Sequence, residues 1–575
     1  MHTSHNLPPI YLTIGITGHR DIPSQDEARL KEVIKSRLLN LQTCYKDTPL
    51  LVLSGLAEGA DRLVVELAYE LGIAFAAILP LPSEEYVNDF SEPDSKIDFY
   101  MWLERAVWVE TLRPDFNNLS CYERDQCYEQ LGFYLARNSQ ILMALWDGDK
   151  QEKTGGTSQV VRYYLQGIFA ADTQINSGLS QPQYRPVEHI LTRRLCHFDA
   201  LNFDEVGKVN TIWPEVSVSD AVWLEKRWSR SLTTLGIFNC DMAELAQNNF
   251  SAIETSRAYL LGNKEIYSQL DPKAQHIADL FAVSDALSSS AQNHRNSNFL
   301  MLVILALMAV VSQQSYGFFL QWYLLFGSLI FGGLSFGLFT RAKKLRLEAK
   351  YLDYRALAEA LRVQFFWYVG GISASAEDYF LRDQRDELEW IRHAITGSNF
   401  HSFYSQMSFS NQWITNTWVK DQRIYFIGDQ QKSRPGKARI DAEKEKQLIR
   451  RMRNCFFSGF GLMLLSAIAY EVTYENLELE WKSLLLNGLL AMSGALLCIV
   501  PTIKLYLDTM AYDEHAKRYL RMGQYYAVCE KQLEYYSDNQ PVVNNLFFEI
   551  GKQSLIETGD WLLLHRQRPV KVPVM

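Results

Sequence analysis

Residues 54–61 read Ser-Gly-Leu-Ala-Glu-Gly-Ala-Asp, SGLAEGAD. The apolar run LLVL, residues 50–53, precedes the octet, and RLVVELAYEL, residues 62–71, follows it with helical spacing. A buried strand that ends in small residues, turns and opens a helix is the repeating step of a parallel α/β sheet. Apart from its two carboxylates, Glu58 and Asp61, the octet carries little side chain. Glycine at such a turn admits left-handed backbone and close approach by another group. The question is what comes close.

The same alternation runs outward in both directions. IYLTIGIT (residues 10–17), LLVLS (50–54), IAFAAILPL (73–81) and ILMALWDG (141–148) read as strands. EARLKEVIKSRLLNL (27–41), DRLVVELAYELG (61–72) and QLGFYLARNSQ (130–140) read as helices. The expected fold is a Rossmann-like α/β domain with a parallel sheet, and ligands of such sheets bind beyond the carboxyl ends of the strands. The polar clusters fall at those ends: Gly18-His19-Arg20-Asp21, then Ser54-Gly55 through Glu58-Gly59-Ala60-Asp61, then Trp146-Asp147, and finally Gly155-Gly156-Thr157, which opens another helical stretch. Glycines and a helix N-terminus suit a phosphate-bearing ligand. Ser54 and Thr157 offer hydroxyls, and Arg20 offers a fixed fork of positive charge. Trp146 either stacks on a base or packs in the core. Asp61 either caps its helix or meets the ligand. His19 has no nucleophile beside it, so no catalytic residue is assigned.

The chain has 575 residues, 47% hydrophobic and 13% aromatic, with a net charge of −9. Its length exceeds one ordinary core. The acidic balance argues against binding nucleic acid. Eight scattered cysteines form no CxxC pair and no metal-ligand spacing, which fits free thiols in a reducing compartment. The start, MHTSHNLPPI, lacks the basic end and apolar run of a signal peptide.

The mean hydropathy of −0.15 conceals two apolar hairpins. Residues 298–311 and 318–339 form the first, and residues 455–470 and 483–503 the second. A spanning helix needs about 20 mainly apolar residues. Arg295 before the first span, Arg341, Lys343, Lys344 and Arg346 after the second, Arg450, Arg451 and Arg453 before the third and Lys504 after the fourth place both termini in the cytoplasm by the positive-inside rule. None of the four segments contains Asp, Glu, Lys or Arg, which disfavours a proton relay or ion-coupled transport. Gly327, Gly332, Gly333 and Gly337 admit close helix contact, within or between chains. Each hairpin is entered through Arg-Asn (295–296, 453–454) and left through Tyr-Leu-Asp (351–353, 506–508), which reads as a degenerate tandem repeat of hairpin plus cytoplasmic helix.

TGHRD, SGLAEGADRLVVELA, LPLP with EYVNDF, and ALWDG followed by GGT occur in that order. Together they resemble the SLOG superfamily, Rossmann-like domains related to cytokinin-activating phosphoribohydrolases and DNA-processing proteins, over about residues 10–168. After Gly155-Gly156-Thr157 the chain continues SQVV, without the glutamate of the hydrolase motif. The membrane part, with YRALAEALRVQFFW (354–367) and ETGDWLLLHRQRP (557–569), resembles SLATT proteins, two-transmembrane effectors associated with such domains.

The resemblance implies a bacterial defence effector in the inner membrane. It would sense a nucleotide second messenger through the SLOG domain, assemble as a homo-oligomer and permeabilise the bilayer. No cofactor other than that nucleotide-derived ligand, and no metal, is implied. A membrane-tethered nucleotide N-glycosidase using Glu58 is the alternative. The expected organisation is a sensing domain over 1–168, a helical connector over 169–290, hairpins over 291–350 and 451–505, a cytoplasmic helical region over 351–450 and C-terminal helices over 506–575.

Overall fold

The computed structural model describes residues 7–90, 92–113, 121–148, 154–166, 187–191, 209–212, 218–379, 389–398, 409–429, 433–473 and 480–567. The aromatic-rich stretch 399–408 and most of the second hairpin's loop, 474–479, lie outside these residues.

The N-terminal part alternates as the sequence predicts. It runs β1 (Leu12–Gly18), α1 (Ser24–Cys44), β2 (Leu50–Ser54), α2 (Ala60–Glu70), β3 (Ala74–Leu79), the one-turn α3 (Ser83–Tyr86), α4 (Pro93–Arg105), β4 (Trp108–Thr111), α5 (Cys121–Asn138), β5 (Ile141–Trp146) and α6 (Thr157–Gln166). Two further strands, β6 (Val187–Leu191) and β7 (Val209–Ile212), join the same sheet. The strand order is β4-β3-β2-β1-β5-β6-β7, with every neighbouring pair parallel except β6 and β7. The sheet therefore continues past residue 168, where the motifs end. β4 (WVET), β6 (VEHIL) and β7 (VNTI) are short, and each mixes polar with apolar residues. The long apolar runs that signal central strands are missing from them. β2 and β5 are buried at every position, as a strand covered on both faces must be.

From residue 218 the described chain is almost wholly helical: α7 (Val218–Asn248), α8 (Phe250–Leu261), α9 (Pro272–Phe319), α10 (Trp322–Lys344), α11 (Leu347–Val369), the short α12 (Ala376–Tyr379), α13 (Glu389–Ser398), the short α14 (Asn411–Ile414), α15 (Asp421–Ile427), α16 (Lys437–Thr473), α17 (Glu480–Met510), α18 (Tyr512–Tyr535) and α19 (Gln540–Gln567). A two-residue ladder of β8 (Gly428–Asp429) with β9 (Arg434–Pro435) precedes α16.

The chain forms two compact units that do not follow its linear order. The first combines residues 1–285 with 356–409 and 547–559. The second combines 286–355 with 410–546 and 560–575. In the first unit, Asn239 on α7 pairs its side-chain amide with the backbone of Ile10, donating to the carbonyl at 3.0 Å and accepting from the N–H at 3.1 Å. Arg227 on α7 holds Glu389 on α13 at 2.6 Å. Trp367 is fully buried and donates its indole N–H to the Phe547 carbonyl at 3.1 Å.

In the second unit, four helical stretches are long and apolar enough to cross a membrane: Pro272–Phe319, Trp322–Val369, Lys437–Glu471 and Lys482–Tyr535, the first two extending beyond this unit. Only 6% to 22% of each apolar window is buried by protein. Helices of a soluble core would hide such windows, so their bare Trp322, Phe326, Phe336, Phe457 and Leu465 fit lipid as solvent. The two hairpins interlock through small and amide residues. Asn487 donates to the Phe318 carbonyl at 3.2 Å, and a Cβ on Gly494 would strike the Gln314 amide. A Cβ at Gly332, Gly333 or Gly337 meets nothing within 4 Å, so no close contact is made at these glycines among the described residues. The repeat holds at the level of hairpin plus following helix, but its break points differ. The first exit turns at Arg346 (φ 51°), before Tyr351, and the second at Ala511 (φ 48°), after Tyr506.

Candidate functional site

Strand order reverses between β1 and β5, and a crevice of the first unit opens beyond the carboxyl ends of those two strands. Its volume is about 730 Å3. Of the residues singled out in the sequence, Gly18, His19, Arg20, Asp61, Trp146, Asp147, Gly155, Gly156 and Thr157 line it. Ser54, Gly55, Glu58, Gly59 and Ala60 do not.

The octet's role is thus mainly architectural. The buried Ser54 hydroxyl accepts the Leu56 N–H at 3.1 Å and lies 3.4 Å from Asp61 Oδ2, which closes the turn. Gly59 sits at φ 78°, and a Cβ there would lie 2.1 Å from the Arg20 carbonyl oxygen. A Cβ on Gly18 would lie 2.4 Å from that of Ala60. What comes close to this small-residue turn is the protein's own first strand exit. Ala60 N–H, the first of α2, already donates to the His19 carbonyl at 3.1 Å, so it is not offered to a ligand. Glu58 accepts from the Ser95 hydroxyl, away from the crevice.

Asp61 lies in the first turn of α2 and faces the crevice, but it does not cap the helix: the N-cap is Gly59, without a side-chain hydrogen bond, and the Asp61 carboxylate takes N–H groups of the preceding turn. Burial raises its pKa to about 6, although N–H groups of Ala57 and Gly55, the Ser54 hydroxyl and Arg20 pull the other way. Around it stand groups the strand-end motifs did not mark. Arg20 lies over the Tyr128 ring, 5.6 Å from its centre. The Tyr128 hydroxyl donates to Asp89. Arg124 clamps Glu85 and Asp89, the latter at 2.6 Å. Tyr86 is wholly buried, lines the crevice, and its hydroxyl has no hydrogen-bond partner among the described residues. Burial first, then Tyr128 and Asp61, push its pKa well above the ordinary tyrosine value. Tyr86 and Asp89 belong to EYVNDF, which the motif order flagged as a string; Arg124 and Tyr128 sit on α5 at i,i+4, a helical stretch without any turn signature.

On the other wall, His19 Nε2 accepts the Asp147 N–H at 3.2 Å and lies 3.2 Å from Asp147 Oδ1. The first contact needs a ring lone pair and the second a ring proton, so they alternate. Trp146 is 8% exposed and packs with Ala136, Leu142, Val160 and Tyr164, which makes it a core residue at the crevice edge. Gly155 takes φ 73° against Tyr128, where a Cβ would lie 2.5 Å away, and its N–H donates to Gln159 Oε1 at 2.7 Å. Gly156, Thr157 and Ser158 follow along the crevice at the start of α6.

No protein-family model matches this chain, and no curated protein matches it in sequence.

The lining carries five aspartates (Asp21, Asp61, Asp89, Asp125, Asp147) against Arg20, Arg124 and His19, and Arg124 is already paired. One phosphoryl group at the α6 N-terminus, with hydroxyl or amino donors turned to the aspartates, matches both ends.

Proposed function

We propose that the chain is a ligand-gated membrane effector whose N-terminal crevice senses a nucleotide-derived signal and whose two hairpins permeabilise the bilayer. The observation that carries this is the pairing, in one chain, of a switch-point crevice holding a helix N-terminus with four apolar helices bare of protein cover. In this reading Gly156, Thr157 and Ser158 receive the phosphoryl group, and Asp61 and Asp147 take ribose hydroxyls or a base amine. Arg20 balances the crevice charge, and the buried Tyr86 hydroxyl finds its partner on the ligand. A ligand moves the membrane part only through different affinity for two arrangements. The apolar segments carry no Asp, Glu, Lys or Arg, which favours a pore made by association of copies over an ion-coupled carrier. The setting is the inner membrane, with both termini cytoplasmic by the distribution of basic residues.

The N-glycosidase reading is less favoured, because Glu58, its candidate carboxylate, is engaged by Ser95 outside the crevice. The test is dye release from proteoliposomes holding the full chain, with AMP, NAD, ADP-ribose, cyclic ADP-ribose and cyclic oligonucleotides added in turn. Release with one compound, absent in Gly156→Asp, supports the reading. Free base produced without release would replace it with the enzyme.

A further inference from the structure

A second cavity, of about 410 Å3, lies in the membrane unit where α9, α16, α17 and α18 meet. We propose that it binds the phosphate headgroup of an anionic membrane phospholipid.

Its depth is the first reason. Leu300 and Val303 lie at the start of the first span, Arg451 precedes the third, and Ile503 ends the fourth, so the cavity sits at the level where apolar helix gives way to polar helix. One wall is apolar, and Leu300 on it is 52% exposed. The other wall is cationic. Lys444 and Arg451 are seven residues apart on α16, two helical turns on one face, about 10 Å along the axis.

Charge complementarity is the second. Three nearby cations are neutralised within their own helices: Lys437 by Asp441 at 3.2 Å, Arg439 by Glu443 at 2.7 Å and Lys504 by Asp508 at 2.9 Å. Lys444 and Arg451 have no such acidic partner among the described residues, and both turn to the cavity. Gln447 stands between them.

The third is the hydroxyl pair opposite. Tyr506 and Tyr512 place their hydroxyls 3.4 Å apart on the cavity wall. Tyr512 reaches that position because the chain turns at Ala511 with φ 48°, a conformation costly for a residue with a Cβ. Two cations, a side-chain amide and two hydroxyls beside an exposed apolar wall match a phosphate with acyl chains attached. A soluble phosphate would leave Leu300 facing water. Basic pockets between spanning helices are a recurrent way of holding such headgroups. The occupant would touch α9 of the first hairpin and α16–α17 of the second at once, so membrane composition would bias how the hairpins pack. This does not depend on what the N-terminal crevice binds.

The test uses the full chain, delipidated in mild detergent, titrated with phosphatidylglycerol, phosphatidylcholine or inorganic phosphate, with bound lipid counted by native mass spectrometry and melting followed in parallel. The expected result is saturable retention of phosphatidylglycerol, weakened on the order of tenfold in Lys444→Gln/Arg451→Gln and at most about twofold in Arg450→Gln/Arg453→Gln, which removes equal charge beside the cavity. Leu300→Trp, which fills the cavity and keeps the charges, is expected to lose the lipid too, so a folding defect of the first double variant would not leave the question open. Equal losses in both double variants, equal retention of phosphatidylcholine, or equal stabilisation by inorganic phosphate would overturn the assignment.

Discussion

Gln140 donates its side-chain amide to the carbonyl of His393, 253 residues further along the chain, at 2.7 Å. Gln140 sits directly before β5, and His393 lies on α13, where Gly397 presses against the Tyr11 backbone so closely that a Cβ would lie 2.6 Å from its carbonyl oxygen. The α/β domain is therefore completed by a helix from beyond the first hairpin.

A chain cut at residue 290 should expose the face that α13 covers. Trp390, Ile391, Ala394 and Ile395 are 3% exposed or less. Ile391→Ala in the full chain is expected to cost about 2–4 kcal/mol. The 1–290 fragment is expected to bind a hydrophobic dye and aggregate, and adding residues 356–409 on a linker should reduce both. A monomeric fragment with a sharp melt and no dye binding would contradict this dependence.

Asp61 gives the crevice a pH signature. Below about pH 4 folded and unfolded chains both hold its proton, and the contribution is fully present. Between the ordinary carboxyl value of 3.8 and the folded value of about 6 only the folded chain keeps the proton, so stability falls as pH rises and the contribution is lost above about 6. The shift corresponds to about 3 kcal/mol. Asp61→Asn keeps an acceptor for the turn N–H groups, so it is expected to flatten local stability from pH 4 to 7. Hydrogen exchange of the β2–α2 amides in the full chain would read this, and an unchanged slope would refute it.

Tyr86→Phe separates folding from binding. The buried hydroxyl has no partner among the described residues, so its removal is expected to leave stability unchanged or raise it by about 1 kcal/mol. If the hydroxyl serves the ligand, affinity falls by roughly tenfold. Loss of stability with unchanged affinity would assign Tyr86 to the scaffold.

Two glycines test packing against surface. A Cβ on Gly551 would lie 2.3 Å from the Trp367 indole nitrogen, so Gly551→Ala is expected to cost about 1–3 kcal/mol. Gly332 has open space, and Gly332→Ala is expected to leave the melt of the monomer unchanged. A change in oligomer size with Gly332→Ala would show that copies meet along α10.

The central strands β1, β2, β3 and β5 and the four long apolar helices were legible because long apolar runs and strand-end glycines are local signals, whereas the short, mixed β4, β6 and β7 were not. The crevice residues at the start of α6 were legible for the same reason: Gly155 and Gly156 punctuate a helix start. The octet misled in one respect. Gly59 looks like part of a ligand's cradle, yet it admits the Arg20 and His19 carbonyls, which only the three-dimensional packing of β1 on α2 reveals. Tyr86, Arg124 and Tyr128 escaped because a helix or short turn bearing them has no distinctive spacing. The contribution of α13 to the first unit is a contact between distant segments and leaves no mark in a local pattern.

The most direct test of the central claim is ligand binding to the full chain in detergent by thermal shift, with the nucleotide panel and the matching dephosphorylated nucleosides. The account predicts that one phosphorylated compound stabilises the protein, by about 2.7 kcal/mol at a hundredfold excess over its Kd, that its nucleoside does not, and that Gly156→Asp abolishes the effect while Glu58→Ala preserves it. Stabilisation that survives Gly156→Asp, or none from any compound, would contradict sensing at this crevice.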